Sequence, residues 1–122
     1  MRAKIIGTGS YLPEKAASND DLSTLMDTSD EWIKSRTGIC ERHLVSSETE
    51  NTLSMAVNAG KAALADANLT PEEVDLIIVA TVSSDFITPS TACMVQRELG
   101  AFHAAAFDIN AARSGFLFAL NT

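Results

Sequence analysis

Two short stretches of this chain carry residue types that could do chemistry. In Trp32-Ile33-Lys34-Ser35-Arg36-Thr37-Gly38 the one tryptophan stands four residues before Arg36, a spacing that puts both on one face of a helix. An indole plane beside a guanidinium suits a nucleotide, because the ring stacks on a base and the cation makes charge-assisted hydrogen bonds to phosphate. From Lys34 to Arg42 three basic residues, Lys34, Arg36 and Arg42, stand with one acid, Glu41, within a strongly acidic chain. An amphipathic surface helix with Trp32 packed inward has the same spacing, so the residues alone leave both arrangements open. The second stretch is Asn110-Ala111-Ala112-Arg113-Ser114-Gly115. A residue at a helix start just past a buried strand meets unpaired N–H groups and the positive end of the helix dipole. That setting suits a nucleophile whose anion must be stabilised, a thiolate above all. A tight strand-to-helix turn built of small residues explains the same composition.

Other motifs fail on spacing. Gly7-Thr8-Gly9 lacks the third glycine of a dinucleotide fingerprint, since position 12 is Leu12, and no helix opens there. Ser114 is outside a Gly-x-Ser-x-Gly elbow, which argues against a hydrolase.

The elements that must position these stretches read as strands alternating with helices. Ala3 to Gly9 predicts a short strand, and Asn19-Asp20-Asp21 caps a short helix to about Met26. Thr28 with Glu31 forms a capping box for the Trp32 helix, which Gly38 stops. Ile39 to Val45 predicts a partly exposed strand. Thr52 to Asn68 is the clearest helix, with Leu53, Ala56, Val57, Gly60, Ala63, Leu64 and Ala67 at three- and four-residue spacing, and its small residues predict close packing. Thr70-Pro71-Glu72-Glu73 is a second capping box. Leu76 to Val82 is a continuous apolar, β-branched run, the mark of a strand covered on both faces and central in a parallel sheet. Pro89-Ser90 opens a helix that Gly100 closes, and Ala104 to Ile109 is a second buried strand. The whole predicts an α/β fold with a largely parallel sheet.

The final segment, Ser114 to Leu120, predicts a helix apolar nearly all round. Such a helix belongs inside a protein, and ending it after about two turns would leave Phe116, Leu117, Phe118 and Leu120 poorly covered. That predicts an interface or covering structure outside this chain, the alternative being a helix that docks on its own sheet.

Composition bounds the function classes. The 122 residues are 46% apolar and 20% charged, the balance of one globular domain. Nine basic residues against sixteen acidic ones give 9 − 16 = −7, the wrong sign for a general nucleic-acid or anionic-membrane surface. Cys40 and Cys93 are too few for a disulfide scaffold, and His43 and His103 too few for zinc. No apolar run is long enough to span a membrane or serve as a signal peptide. Free thiols and a cytoplasmic location are expected.

Several ordered blocks resemble 3-oxoacyl-(acyl-carrier-protein) synthase III, also called β-ketoacyl-ACP synthase III. They are Lys4-Ile5-Ile6-Gly7-Thr8-Gly9-Ser10-Tyr11-Leu12-Pro13, Asp27-Thr28-Ser29-Asp30-Glu31-Trp32-Ile33, Arg36-Thr37-Gly38-Ile39, Val79-Ala80-Thr81, Pro89-Ser90-Thr91-Ala92-Cys93 and Ala106-Phe107-Asp108-Ile109-Asn110-Ala111-Ala112. The resemblance implies a thiolase-like α/β fold. Residues 1–122 would be the N-terminal half of a five-layered α-β-α-β-α subunit with a mostly parallel central sheet. It implies a homodimer, association with a C-terminal half outside this chain, and no cofactor, acyl-CoA being a substrate. The family's reaction starts fatty-acid synthesis: a cysteine takes an acyl group from acyl-CoA, and the acyl group condenses with malonyl-acyl carrier protein as CO2 leaves. By the same resemblance Trp32 stacks on the CoA adenine, Thr28 hydrogen-bonds that base and Arg36 meets the CoA phosphates. Thr88 matches a loop position that reaches a neighbouring subunit's acyl pocket, where an aromatic residue often limits chain length.

The chain departs from the family at the nucleophile. The family has Ala-Ala-Cys-Ser-Gly where this chain has Ala111-Ala112-Arg113-Ser114-Gly115. A guanidinium stays protonated and offers only donors, so it cannot attack a thioester. The family's catalytic histidine and asparagine fall beyond Thr122, and neither His43 nor His103 replaces them. Three expectations follow: a synthase III inactive at its nucleophile, a non-catalytic CoA- or carrier-protein-binding partner subunit of the same fold, or a structural domain without a ligand.

Overall fold

The computed structural model describes residues 3–122, which divide into two compact units, 12–50 and 3–11 with 51–122. In residues 12–50, β1 (Lys15–Ser18) pairs antiparallel with β2 (Glu41–Leu44), Lys15 opposite Leu44 and Ser18 opposite Glu41. Between them lie α1 (Asn19–Ser23) and α2 (Asp30–Thr37). Ser18 caps α1 reciprocally: its hydroxyl accepts from the Asp21 N–H at 3.1 Å, and the Asp21 carboxylate accepts from the Ser18 N–H at 2.8 Å. Gly38 ends α2 at φ 71, a left-handed conformation that glycine adopts without a Cβ penalty. Pro13, Ala17, Asn19 and Ile33 are buried.

The larger unit holds α3 (Thr52–Ala67), β3 (Leu76–Ala80), α4 (Thr91–Leu99), β4 (Ala105–Ile109) and α5 (Gly115–Asn121). β3 and β4 pair in parallel, Leu76 opposite Ala105 through Ala80 opposite Ile109, with α4 as the crossover. A parallel pair needs such a crossover, because a tight turn can only reverse the chain. Asp108 on β4 fixes the start of α4: its two carboxylate oxygens accept from the Thr91 and Ala92 N–H groups at 2.8 and 2.7 Å. Val57, Ile77, Ala92, Val95, Ala101 and Ala104 form the core, with Leu53, Val79 and Leu99 packed on it. Gly60 lets α3 approach α4, since a Cβ there would lie 3.2 Å from the Leu99 side chain.

Three expectations need correction. Residues 3–9 form no strand. They lie against α3, where a Cβ on Gly9 would overlap the Ala59 carbonyl and the Ala63 N. The Thr8 N–H donates to the Asp66 carboxylate at 2.9 Å instead of joining a ladder. The cap of α2 is Ser29, whose hydroxyl accepts from the Trp32 N–H at 3.1 Å, and not Thr28. β3 has β4 as its one partner among the described residues, so it is an edge of a two-stranded sheet and not a central strand. Ile77 is buried by the core, whereas Leu76 and Val82 are exposed. The apolar run reports the capacity to be covered, not how many strands or helices do the covering.

Candidate functional site

Ile33, not Trp32, is the residue of α2 that packs inward. Ile33 is 4% exposed and Trp32 56%. The surface-helix alternative with an inward tryptophan is therefore excluded, and the indole is presented outward. The Arg36 guanidinium carbon lies 5.2 Å from the centre of the Trp32 ring, within the range of a cation–π contact. The i,i+4 spacing has produced the expected juxtaposition. Asp27, Thr28, Ser29 and Trp32 line a cleft of about 370 Å³. Thr28 thus shares a cleft with the ring although it does not cap the helix.

Charge around this surface is partly internal. Lys34 pairs with Asp30 at 2.8 Å, one turn apart. The Lys34 ammonium, and then the Asn19 amide, hold the Asp30 carboxyl below its usual range, while Asp30 raises the Lys34 ammonium. Among the described residues Arg36 has no carboxylate partner, which leaves its charge to act outward.

The second candidate is the turn Ala112–Ser114, a short 3-10 piece between β4 and α5. Ala112 takes φ 44, the left-handed region that non-glycine residues rarely occupy. Gly115 is buried where a Cβ would lie 3.1 Å from the Ala80 Cβ, a tight contact that glycine avoids as the turn approaches β3. Arg113 is exposed and lines an open cavity of about 610 Å³ with Leu76, Ile78, Ala80, Phe116 and Leu120. Ser114 opens on a different cleft, with Leu117, Phe118 and Asn121. The two neighbours therefore face different spaces. Ser114 makes no side-chain cap to α5, and Phe116, Leu117, Phe118 and Leu120 are all exposed.

Thr88 lies exposed in the loop before α4, beside the exposed Phe86 and Ile87. His43 is engaged with the Pro13 carbonyl through Nδ1 at 2.6 Å. Cys40 and Cys93 are free and exposed. Among the described residues no three His, Cys, Asp or Glu side chains are grouped to hold a metal, and no helix is long and apolar enough to cross a membrane. Sequence reasoning read Asn19 as part of a helix cap and missed its buried bonding role, and it assigned no role to the half-buried Asp108 at the start of α4.

No family model matches the chain. Individual proteins do. Over 119 residues it is 59% identical to the β-ketoacyl-[acyl-carrier-protein] synthase III of Clostridium acetobutylicum, covering 98% of this chain and 36% of that protein. Over 120 residues it is 57% identical to the synthase III of Caldanaerobacter subterraneus subsp. tengcongensis, with the same coverage of 98% and 36%. Its backbone matches the crystal structure of 3-oxoacyl-[acyl-carrier-protein] synthase III from Aquifex aeolicus VF5 with a TM-score of 0.92 at 54% identity, over 97% of this chain and 38% of that one. Over nearly its whole length the chain is similar to β-ketoacyl-[acyl-carrier-protein] synthase III proteins. A priming β-ketosynthase from the R1128 polyketide biosynthetic pathway matches with a TM-score of 0.91 at 38% identity, covering 96% of this chain and 35% of its own. The α/β, thiolase-like fold expected for a synthase III is thereby established. This chain spans about 36% of the length of the curated synthase III relatives it matches.

Proposed function

We propose that the protein carrying this chain is built as a β-ketoacyl-ACP synthase III acyltransferase, with its nucleotide-binding platform intact and its nucleophile lost. The observation that carries this reading is the outward Trp32 ring with Arg36 stacked on it, beside the cleft that Thr28 lines. A base stacks on the ring, the Arg36 cation offers bidentate hydrogen bonds to phosphate, and the Thr28 hydroxyl serves the base edge. The ligand of this platform is the nucleotide end of an acyl-CoA.

The family's reaction begins when a cysteine thiolate attacks the acyl-CoA thioester carbonyl and CoA leaves as its thiolate. Malonyl-acyl carrier protein then loses CO2, and the resulting enolate attacks the acyl-enzyme to give 3-oxoacyl-ACP and regenerate the thiolate. Arg113 can take neither role, because it has no lone pair to donate and keeps its proton. The reading includes a cytoplasmic homodimer, a C-terminal half completing five layers, and Thr88 at an acyl pocket that accepts longer chains than an aromatic residue would allow.

Mass spectrometry of the full-length protein after incubation with acetyl-CoA tests the assignment. The protein as it stands should carry no acyl adduct, and Arg113→Cys should acquire one, its thiol lying at a helix start that favours the thiolate. An adduct on the unaltered protein would overturn the loss of the nucleophile. No adduct on a folded, CoA-binding Arg113→Cys variant would favour the second reading, a non-catalytic CoA- or carrier-protein-binding partner subunit. The cation at position 113 is the observation behind that reading.

A further inference from the structure

We infer that Asn19 is a positioning residue: it sets the orientation of α2 and thereby holds Trp32 and Arg36 in register for the nucleotide end of CoA. The inference rests on the CoA reading above. Asn19 is fully buried, and its side chain binds three separate segments. Its Nδ2 donates to the Asp30 carboxylate at 2.9 Å and to the Ile39 carbonyl at 2.7 Å, and its Oδ1 accepts from Arg42 Nη1 at 3.1 Å. Its backbone N–H donates to the Cys40 carbonyl at 3.3 Å. Asp30 is the first residue of α2, and Ile39 follows the Gly38 that ends it. One amide therefore grips the helix at both ends and ties it to β2 through Arg42.

The geometry leaves little room for substitution. An asparagine amide has two donor hydrogens and an oxygen acceptor, and all three functions are used here. Aspartate offers no donor, and leucine offers neither donor nor acceptor. An eight-residue helix does not hold itself in water, so its placement comes from tertiary contacts. Ile33 supplies the apolar contact and Asn19 the polar one. Burial alone leaves the helix free to rotate about its axis or slide along it, whereas directional hydrogen bonds to both ends do not. Trp32 and Arg36 touch the ligand in this scheme; Asn19 acts only through them.

The test uses the full-length protein and titrates CoA and 4′-phosphopantetheine separately, the second lacking the adenosine bisphosphate that meets α2. Asn19→Ala should weaken CoA about tenfold while leaving 4′-phosphopantetheine within twofold. A role confined to overall stability would weaken both alike. The double variant Asn19→Asp/Asp30→Asn rebuilds an amide–carboxylate pair in reverse and should recover part of the CoA affinity lost in Asn19→Asp alone. Hydrogen exchange read on the peptide covering residues 30–37 gives an arm without ligand, in which Asn19→Ala should speed exchange of the α2 amides at least tenfold. Unchanged CoA affinity with slow α2 exchange in a folded Asn19→Ala protein would overturn the inference, as would parallel loss of both ligands. If the unaltered protein binds no CoA, the platform reading itself fails. Exchange in α2 unaffected by Asn19→Ala would then also remove Asn19 from the helix's support.

Discussion

The starts of α2 and α5 both carry residues assigned to chemistry, and they are built in opposite ways. α2 opens on Ser29, which caps the Trp32 N–H, is braced by Asn19 through Asp30, and turns Ile33 inward. α5 opens on Ser114, which caps nothing, and presents Phe116, Leu117, Phe118 and Leu120 outward. The contacts that hold α2, and with it the proposed nucleotide platform, close within residues 12–50. At the turn Gly115 is buried against Ala80, while Phe116, Leu117, Phe118 and Leu120 of α5 stay exposed. Polar, local contacts can preorganise a binding surface from a short stretch of chain, whereas a turn meant for covalent chemistry depends on apolar cover for its dry surroundings.

The sharpest way to break this contrast is at the ring. Trp32→Ala in the full-length protein should lower CoA affinity by about 1–3 kcal/mol, the range for a base stacked on an aromatic side chain. Calorimetric titration reads it, and unchanged affinity would dissolve the platform. A paired substitution at the two helix-start serines should come next in size. Ser29→Ala should cost about 1 kcal/mol of stability in urea unfolding, because the Trp32 N–H loses its acceptor. Ser114→Ala should stay within about 0.5 kcal/mol, as an exposed serine without a cap bond. Equal losses at the two sites would erase the difference between the helix starts.

Acid probes the same brace. Lys34 and Asn19 depress the Asp30 carboxyl, so its stabilising contribution is present above the ordinary carboxylate range and is lost as pH falls through the lower folded value. Stability of α2, followed by hydrogen exchange, should therefore decline below about pH 4. The decline should be smaller in Asp30→Asn, which has no carboxylate to protonate there. The smallest effect is expected at Thr91, whose buried hydroxyl finds no partner among the described residues. Thr91→Val replaces an unsatisfied polar group by a methyl of similar shape, so thermal unfolding should be unchanged or slightly raised.

Local signals made much of this molecule legible. Gly38 and Gly100 end their helices in left-handed conformations as their positions in the sequence imply, and the small-residue face of α3 meets the close approach that Gly60 permits. The Trp32–Arg36 pair follows from i,i+4 spacing alone. What stayed hidden depends on distant partners. Lys15–Ser18 has no strand pattern and becomes β1 by pairing with residues more than twenty positions away. Ile5 and Ile6 look like strand residues, yet Gly7 and Gly9 fit the segment against α3. Asn19 sits in a polar run that reads as a cap, and nothing in that run marks its side chain as buried. At the second site the sequence showed the unusual residue, Arg113, and the structure opens Ser114 beside it on another cleft.

The left-handed Ala112 separates the conformational cost of the turn from the identity of its next residue. An alanine at φ 44 is held about 1–2 kcal/mol above a right-handed geometry, and that energy is stored in the backbone before position 113 is reached. Arg113, the next residue, lines the cavity with Leu76, Ile78 and Ala80. On the reading proposed above, the backbone cost at Ala112 is the same for an arginine or a cysteine at 113.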